Sequence, residues 1–279
     1  MRLGVLIVSF ISFSLLAEAQ ETNGNVAASQ TFEQYLSLYL STDNSKTVST
    51  ASINSFVEKL ESKKQSFKKE SEFLQYTFNQ THRKFLKHYK QYCTFTELVD
   101  KGTYNCLTAT GLYALLLQRF DIEYTIVETN YHIFLLAKTE QGTVLLETTD
   151  PLNGFISNSS EIEKRISAYK QNELMTVEKN KTMYAYNFNL YHAVDLDQML
   201  GLMYYNLAIE AYNDQEIQLS ISYLDQATLR YQSARIEEFS AIILLTLQAS
   251  KLEASVKNSY LQKVKAIQTK KLSGLANGY

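Results

Sequence analysis

Three side chains in this sequence have the types and order needed for thiol-based acyl chemistry. Cys106 stands at the predicted start of a helix, where free N–H groups and the helix dipole favour a thiolate. His132 begins one predicted strand, and Asp150 ends another. An imidazole can take the thiol proton, and a carboxylate can fix the tautomer of that imidazole and stabilise the imidazolium. This pattern predicts a catalytic set of Cys106 as nucleophile, His132 as base and Asp150 as orienting residue.

The elements that must position these side chains can be predicted from the sequence between them. The Leu- and Ala-rich run 107–120 predicts a buried helix that starts near Cys106. Three short β-like runs follow, at 123–128, 132–138 and 143–149. The turn before the third run ends in Gly142, which is typical of a hairpin, so we expect an antiparallel meander. Pairing across that turn would place His132 beside Asp150.

Helical periodicity dominates both ends of the chain. Apolar residues recur at helical spacing in three N-terminal segments, 31–41, 51–62 and 70–89. From Met199 onward a helical pattern again prevails. Helices, then consecutive strands, then helices predict an α+β fold and not an alternating βαβ fold.

The same patterns predict how the chain is divided. The expected segments are a signal peptide at 1–19, a flexible start at 20–30, a helical region with the catalytic core at 31–156, a connector at 157–198, a helical hairpin at 199–267 and a tail at 268–279. The hairpin shows the small and large alternation of a tetratricopeptide repeat, and an ordinary pair of packed helices explains it equally well.

The segment 103–155 resembles the core of the transglutaminase-like superfamily, whose members share a papain-like arrangement. The resemblance lies in Asn105-Cys106 opening an Ala- and Leu-rich helix, in His132 leading an apolar strand and in Asp150 after the third strand. It implies a papain-like core and the same Cys, His and Asp roles. The helical segment after residue 200 also resembles the tails of bacterial members of this superfamily.

The family's upstream side chain that stabilises the oxyanion has no clear counterpart in this sequence. Tyr104, Asn105 and Gln91 are candidates for that support, and the backbone N–H of Cys106 is a stronger one. The expected activity is acyl transfer on peptide amides. The acceptor stays open between water, as in a peptidase or amidase, and an amine, as in a transamidase.

Two other function classes stay open. A disulfide between Cys93 and Cys106 would remove the nucleophile or protect it until reduction. The alternative function is an inactive peptide- or protein-binding module, with or without this disulfide, whose C-terminal helices are a possible partner surface. A purely structural envelope protein is the third alternative.

The N-terminus indicates export. One Arg, an apolar run from Leu3 to Leu16 and the small-x-small sequence Ala17-Glu18-Ala19 are typical of a cleavable signal peptide. A short anchor helix is the alternative. No later apolar run reaches 18 residues, so we expect no stable membrane insertion and a periplasmic or secreted protein.

Composition excludes some functions. The 27 basic and 29 acidic residues give a net charge of −2, which argues against a nucleic-acid surface. His, Asp and Glu show no metal-ligand spacing, and no Gly-rich phosphate loop occurs, so the sequence predicts neither a metal nor a cofactor.

Overall fold

A computed structural model of the chain describes residues 31–43, 47–171 and 190–276, with side chains described as far as residue 268. The predicted signal peptide and flexible start lie outside these residues. Within them, no helix combines the length and the apolar character needed to cross a bilayer.

The described chain is a mixed α+β structure, as the sequence predicted. Its helices are α1 Phe32–Leu40, α2 Ala51–Lys64, α3 Glu70–Phe85, α4 Phe95–Lys101, α5 Cys106–Arg119, α6 Ser159–Lys170, α7 Leu196–Asn213, α8 Ile217–Arg230, α9 Ala234–Ala249 and α10 Ala254–Ala276. Its strands are β1 His88–Tyr89, β2 Thr103–Tyr104, β3 Glu123–Thr129, β4 Ile133–Thr139, β5 Gly142–Leu146, β6 Phe155–Ile156 and β7 Tyr191–Val194.

The main sheet has the strand order β6-β5-β4-β3-β7, and every neighbouring pair is antiparallel. The predicted meander of three consecutive strands is therefore confirmed as β3, β4 and β5. The two outer strands β6 and β7 were not predicted, because each is only a few residues long. They are the two edge strands of the sheet, and no local sequence pattern indicates them.

The two faces of the sheet are covered by different helices. Ile126 of β3, Leu135 of β4 and Leu146 of β5 lie in register on one face, which belongs to the main apolar core with α5. Phe134 and Leu145 point to the other face, where they pack with residues of α6 in a smaller cluster. Alternation along the strands thus assigns each residue to one helix layer.

Helix α5 runs through the centre of the main core. Asn105 caps its N-terminus, because Asn105 Oδ1 accepts a hydrogen bond from the Thr108 backbone N–H at 2.8 Å. Near its middle, a Cβ added to Gly111 would lie 2.9 Å from the Met203 Cε and 3.2 Å from the Tyr39 Cε2. The glycine therefore allows α7 and α1 to pack closely on α5, which fixes the helix that carries Cys106.

The C-terminal helices are continuous with this core, which extends from Phe32 to Ile267. Helices α7 and α8 form the predicted hairpin, tied by a hydrogen bond of 2.7 Å from Ser220 Oγ to the Ala208 carbonyl. The range 199–267, where one hairpin was predicted, also contains α9 and most of α10.

Several predicted boundaries differ from the structure. Helix α3 ends at Phe85 and not at residue 89, because the chain turns there to pair β1 with β2. The predicted connector 157–198 contains α6 and β7, and α10 continues into the predicted tail as far as Ala276. These elements depend on packing partners that are distant in the sequence.

Candidate active site

Cys106 is the first residue of α5 and is half-buried. The Asn105 cap leaves it with a backbone N–H that has no partner within the helix, since the first N–H groups of a helix have no preceding carbonyl. The positive end of the helix dipole lies at its side chain. Reactive cysteines in proteins are found in partly exposed sites of this kind.

His132 lies at the end of the hairpin turn that joins β3 to β4. Its backbone is fixed by Thr129, whose N–H donates to the His132 carbonyl at 2.8 Å. In return, the His132 N–H donates to Thr129 Oγ1 at 3.0 Å. The Cys106 side chain is near enough to the imidazole to be among the groups that raise the pKa of His132. The structure therefore brings together the predicted nucleophile and the predicted base.

The carboxylate that contacts the imidazole belongs to Glu147. His132 Nε2 lies 2.6 Å from Glu147 Oε2, and the two side chains are 21% and 7% exposed. With Nε2 bonded to a carboxylate, Nδ1 is the ring nitrogen that remains for the sulfur of Cys106. This is the arrangement in which a carboxylate orients an imidazole toward a thiol.

Glu147 is itself held by donors on both oxygens. Its Oε1 accepts hydrogen bonds from the Thr149 hydroxyl at 2.7 Å and from the Thr149 N–H at 3.3 Å. Its Oε2 accepts one from the Tyr169 hydroxyl at 2.8 Å. The ring of Tyr169 also packs 5.5 Å from that of His132, centroid to centroid. We refer to Cys106, His132, Glu147 and Tyr169 as the Cys106 cluster.

The charges of the Cys106 cluster reinforce each other. Burial by itself lowers the pKa of His132, but the Glu147 charge and hydrogen bonds to Cys106 and Glu147 outweigh it and raise this pKa to about 10. Burial likewise raises the pKa of Glu147, but the His132 charge and three hydrogen-bonding side chains lower it to about 2. At neutral pH the imidazole is therefore an imidazolium, which stabilises a neighbouring thiolate.

Asp150 does not occupy the position beside His132 that the sequence predicted. Its Oδ1 accepts hydrogen bonds from the backbone N–H groups of Leu152 at 3.1 Å and Asn153 at 2.9 Å. The reason is that strand pairing stops at the end of β5 and Asp150 falls in the turn leading to β6. Glu147 directly follows β5 and lies on the same face of the sheet as His132, so Glu147 makes the contact that the sequence assigned to Asp150.

The three candidates for oxyanion support have different surroundings. The Asn105 amide is held at both ends, because Nδ2 donates to the Gln91 carbonyl at 3.0 Å while Oδ1 caps α5. Tyr104 is buried and packs edge-on against Tyr89. Gln91 is exposed, and the hydrogen bond from Asn105 Nδ2 to the Gln91 carbonyl places the Gln91 backbone beside the start of α5. The Gln91 side-chain Nε2 donates to the Tyr92 hydroxyl at 3.5 Å, so the Cys106 N–H is the best-placed of these donors.

Cys93 is free in this structure, as is Cys106. It is buried, and its Sγ lies 3.6 Å from Thr108 Oγ1. Burial raises the pKa of the Cys93 thiol to about 12. The structure thus shows the reduced form of the pair, in which Cys93 is a buried thiol and Cys106 has the half-exposed site.

Sequence reasoning missed Glu147 and Tyr169. Strand alternation could have found Glu147, because it is two residues after Leu145 and so faces α6, as His132 does. Tyr169 gave no local signal, since only the packing of α6 on the sheet brings it to this site.

Comparison of the chain with protein-family models, with curated proteins and with solved structures gives no match in any of the three. The described residues also contain no group of three His, Cys, Asp or Glu side chains arranged to hold a metal ion. The functional argument therefore rests on the geometry of the Cys106 cluster.

Proposed function

We propose that this protein is a cysteine-dependent acyl-transfer enzyme that acts on peptide amide bonds. The observation that carries the proposal is the 2.6 Å contact between His132 Nε2 and Glu147 Oε2, in a site where Cys106 begins helix α5 and is among the groups that raise the pKa of His132. Each member has the neighbour that thiol catalysis requires. In this proposal Glu147 replaces Asp150 as the orienting carboxylate.

The reaction follows from the proton positions in this chain. The Cys106 thiolate attacks the amide carbonyl carbon, and the oxyanion that forms lies near the helix N-terminus. The C–N bond then breaks while the His132 imidazolium gives its proton to the leaving amine. Water or a second amine attacks the resulting thioester, and His132 takes the proton of that acceptor. Release of the acyl group restores the thiolate and the imidazolium.

The proposal extends to the finer architecture. A helix that begins at Cys106 and packs on an antiparallel meander beginning with His132 supports a transglutaminase-like, papain-like core. The two successive helical pairs formed by α7–α8 and α9–α10 support a tetratricopeptide-like C-terminal region.

An exported location also remains part of the proposal, resting on the N-terminal sequence pattern. Expression of the full chain in a bacterial host, followed by fractionation and intact-mass measurement, tests it. The expected product is a periplasmic or secreted chain that has lost residues 1–19. A cytoplasmic chain of full mass would contradict export.

A second candidate function is peptide binding without turnover. It is favoured by one observation, namely that the Asn105 amide is committed to the cap of α5 and to the Gln91 carbonyl. An enzyme of this kind would have to rely on Gln91 and on backbone N–H groups for the oxyanion.

The first experiment is the rate of Cys106 alkylation by iodoacetamide as a function of pH, read by peptide mass spectrometry. We expect rapid reaction of the wild type well below pH ~8.5, the usual thiol pKa. His132→Ala should lose this reactivity by roughly tenfold to hundredfold at pH 6, because the thiol then ionises at its ordinary pH. His192→Ala is the matched control, since His192 also contacts a glutamate but lies in β7.

Two outcomes separate the candidate functions. If the wild type and His132→Ala react alike, with the rate rising only near pH ~8.5, the acyl-transfer proposal fails. If the low-pH reactivity is present, incubation with a peptide mixture decides on turnover. Cleaved or amine-exchanged products that disappear in Cys106→Ala support an enzyme, whereas peptide retention of equal strength in both forms supports the binding module.

A further inference from the structure

A second buried cluster lies next to the hairpin turn that carries His132. It consists of Arg235 at the start of α9, Glu128 in β3, Tyr231 after α8 and His192 in β7, and we call it the Arg235 cluster. Arg235 and Glu128 are 107 residues apart in the sequence, so the tertiary fold alone brings them together.

The guanidinium of Arg235 contacts three consecutive residues of the hairpin. Its Nε donates to Glu128 Oε1 at 2.8 Å. Its Nη2 donates to the Thr129 carbonyl at 2.7 Å and to the Asn130 carbonyl at 3.0 Å. The planar fork of an arginine is suited to such a set of acceptors, and a lysine could satisfy only part of it.

The ion pair is buried on both sides. The Glu128 side chain is 2% exposed and the Arg235 side chain 13%. Tyr231 donates a further hydrogen bond to Glu128 Oε2 at 2.6 Å, and His192 Nε2 lies 3.3 Å from the same oxygen. Burial raises the pKa of Glu128, but hydrogen bonding and the Arg235 charge outweigh it and leave this pKa below its usual value. The carboxylate is therefore a permanent partner of the guanidinium.

The Arg235 cluster reaches His132 through the backbone and not through the imidazole. Glu128 pairs with Ile133, so both lie on the α5 face of the sheet, whereas His132 packs against α6. Arg235 donates a hydrogen bond to the Thr129 carbonyl. The N–H and the hydroxyl of the same Thr129 form hydrogen bonds with the backbone of His132. Any displacement of Thr129 is thus transmitted to His132.

We propose that Arg235 is a positioning residue, which clamps the hairpin turn so that the His132 imidazole stays within hydrogen-bond reach of Cys106. The inference rests on the proposed acyl-transfer function. In this inference, helix α9 helps to position the active site, whereas the sequence predicted only a possible partner surface for the C-terminal helices. Small displacements of a base from its nucleophile are known to reduce rates strongly.

The test compares folded variants by Cys106 alkylation across pH and by hydrogen exchange of a peptide covering 129–132. Arg235→Gln combined with Glu128→Gln removes the ion pair without leaving a buried charge. Arg235→Lys keeps the positive charge but lacks the planar guanidinium that contacts three hairpin residues at once. Arg230→Gln is the control, because Arg230 makes a similar 2.8 Å ion pair with Asp197 that does not contact the hairpin.

The expected result is faster exchange of the hairpin in the double variant and a roughly tenfold loss of alkylation rate at pH 6. Arg235→Lys should give an intermediate pH profile, and Arg230→Gln the wild-type profile. If the double variant does not fold, Arg235→Lys decides, and a wild-type pH profile in it overturns the inference.

A different pattern distinguishes failure of the inference from failure of the proposed function. Faster hairpin exchange with an unchanged alkylation profile, while His132→Ala still loses reactivity, shows that the clamp is only structural. Identical alkylation profiles for the wild type and His132→Ala overturn the proposed function. The positioning role of Arg235 then fails with it.

Discussion

The Cys106 cluster and the Arg235 cluster are built from the same three residue types. In each, a histidine Nε2 and a tyrosine hydroxyl converge on one buried glutamate oxygen. The two sets are His132–Glu147–Tyr169 and His192–Glu128–Tyr231. They lie on opposite faces of the sheet, at the end where β3 turns into β4.

The clusters differ in the fourth side chain. Glu128 has Arg235, a cation at every accessible pH, so its charge is compensated without any proton transfer. Glu147 has no such cation among its described contacts and depends on protonation of His132, which in turn can draw a proton from Cys106. In the proposed function, the Glu147 charge is therefore matched by a proton that moves during the reaction, whereas the Glu128 charge is matched by the fixed cation of Arg235.

Removing the arginine should have the largest effect on stability. Arg235→Leu leaves the Glu128 carboxylate buried without its cation, and we expect a loss of about 3–5 kcal/mol in the free energy of unfolding. Urea denaturation followed by circular dichroism measures it. His132→Leu, the corresponding change in the other cluster, should cost less, because Glu147 keeps its bonds from Thr149 and Tyr169.

This prediction has a clear control and a clear contradiction. Arg235→Leu combined with Glu128→Leu should recover most of the lost stability, since no buried charge remains. A cost of under about 1 kcal/mol for Arg235→Leu alone would show that the pair contributes no more than a surface ion pair.

The next effect concerns which carboxylate orients the imidazole. Glu147→Gln should move the pH midpoint of Cys106 alkylation upward by about one to two units, because the imidazolium loses its counter-charge. Asp150→Asn should leave the midpoint unchanged, since the Asp150 carboxylate accepts hydrogen bonds from the turn N–H groups of Leu152 and Asn153. A shift in Asp150→Asn of the size expected for Glu147→Gln would restore the sequence-based assignment.

The stability that the His132–Glu147 pair contributes should depend on pH. The pKa of His132 is raised to about 10, so its contribution is complete below pH ~6.5 and is lost as pH rises toward 10. The pKa of Glu147 is lowered to about 2, so its contribution is complete above pH ~4.3 and is lost as pH falls. The pair therefore contributes most between these two limits.

Unfolding free energies of the wild type and His132→Gln, measured at pH 6 and pH 10, test this point. The difference between the two proteins should be at least about 2 kcal/mol larger at pH 6. A difference that is constant over this range would show that the pair is not ionised in the folded protein.

The smallest effect is expected for the second histidine. His192→Phe removes one contact of Glu128 but leaves Arg235 and Tyr231 in place, so we expect a loss within about 1 kcal/mol. Thermal melting measures this loss, and Cys106 alkylation in the same variant should match the wild type. Reactivity lost in His192→Phe, as in His132→Ala, would contradict the assignment of the positioning role to Arg235 and not to His192.

The sequence predicted the parts of the site that local patterns encode. Cys106 at a helix start and His132 beside the apolar run of β4 follow from residue spacing and helix capping. The α+β class and the central meander follow from the change from helical spacing to short β-like runs after residue 120.

The rest of the site could not be read from local patterns. The choice between Glu147 and Asp150 depends on where β5 stops pairing, a boundary that propensity does not fix within a few residues. Tyr169 and Arg235 reach the site from α6 and α9, so only tertiary packing reveals them. Long-range contacts of this kind leave no periodic signal in one sequence.

The most direct measurement is an NMR titration of the His132 ring nitrogens in protein labelled with ¹⁵N-histidine, with His132→Gln used for assignment. The account predicts that His132 is still an imidazolium at pH 8, in keeping with a pKa raised to about 10. Titration of His132 near pH ~6.5, the value of an unperturbed imidazole, would contradict the thiolate–imidazolium pair and the function proposed from it.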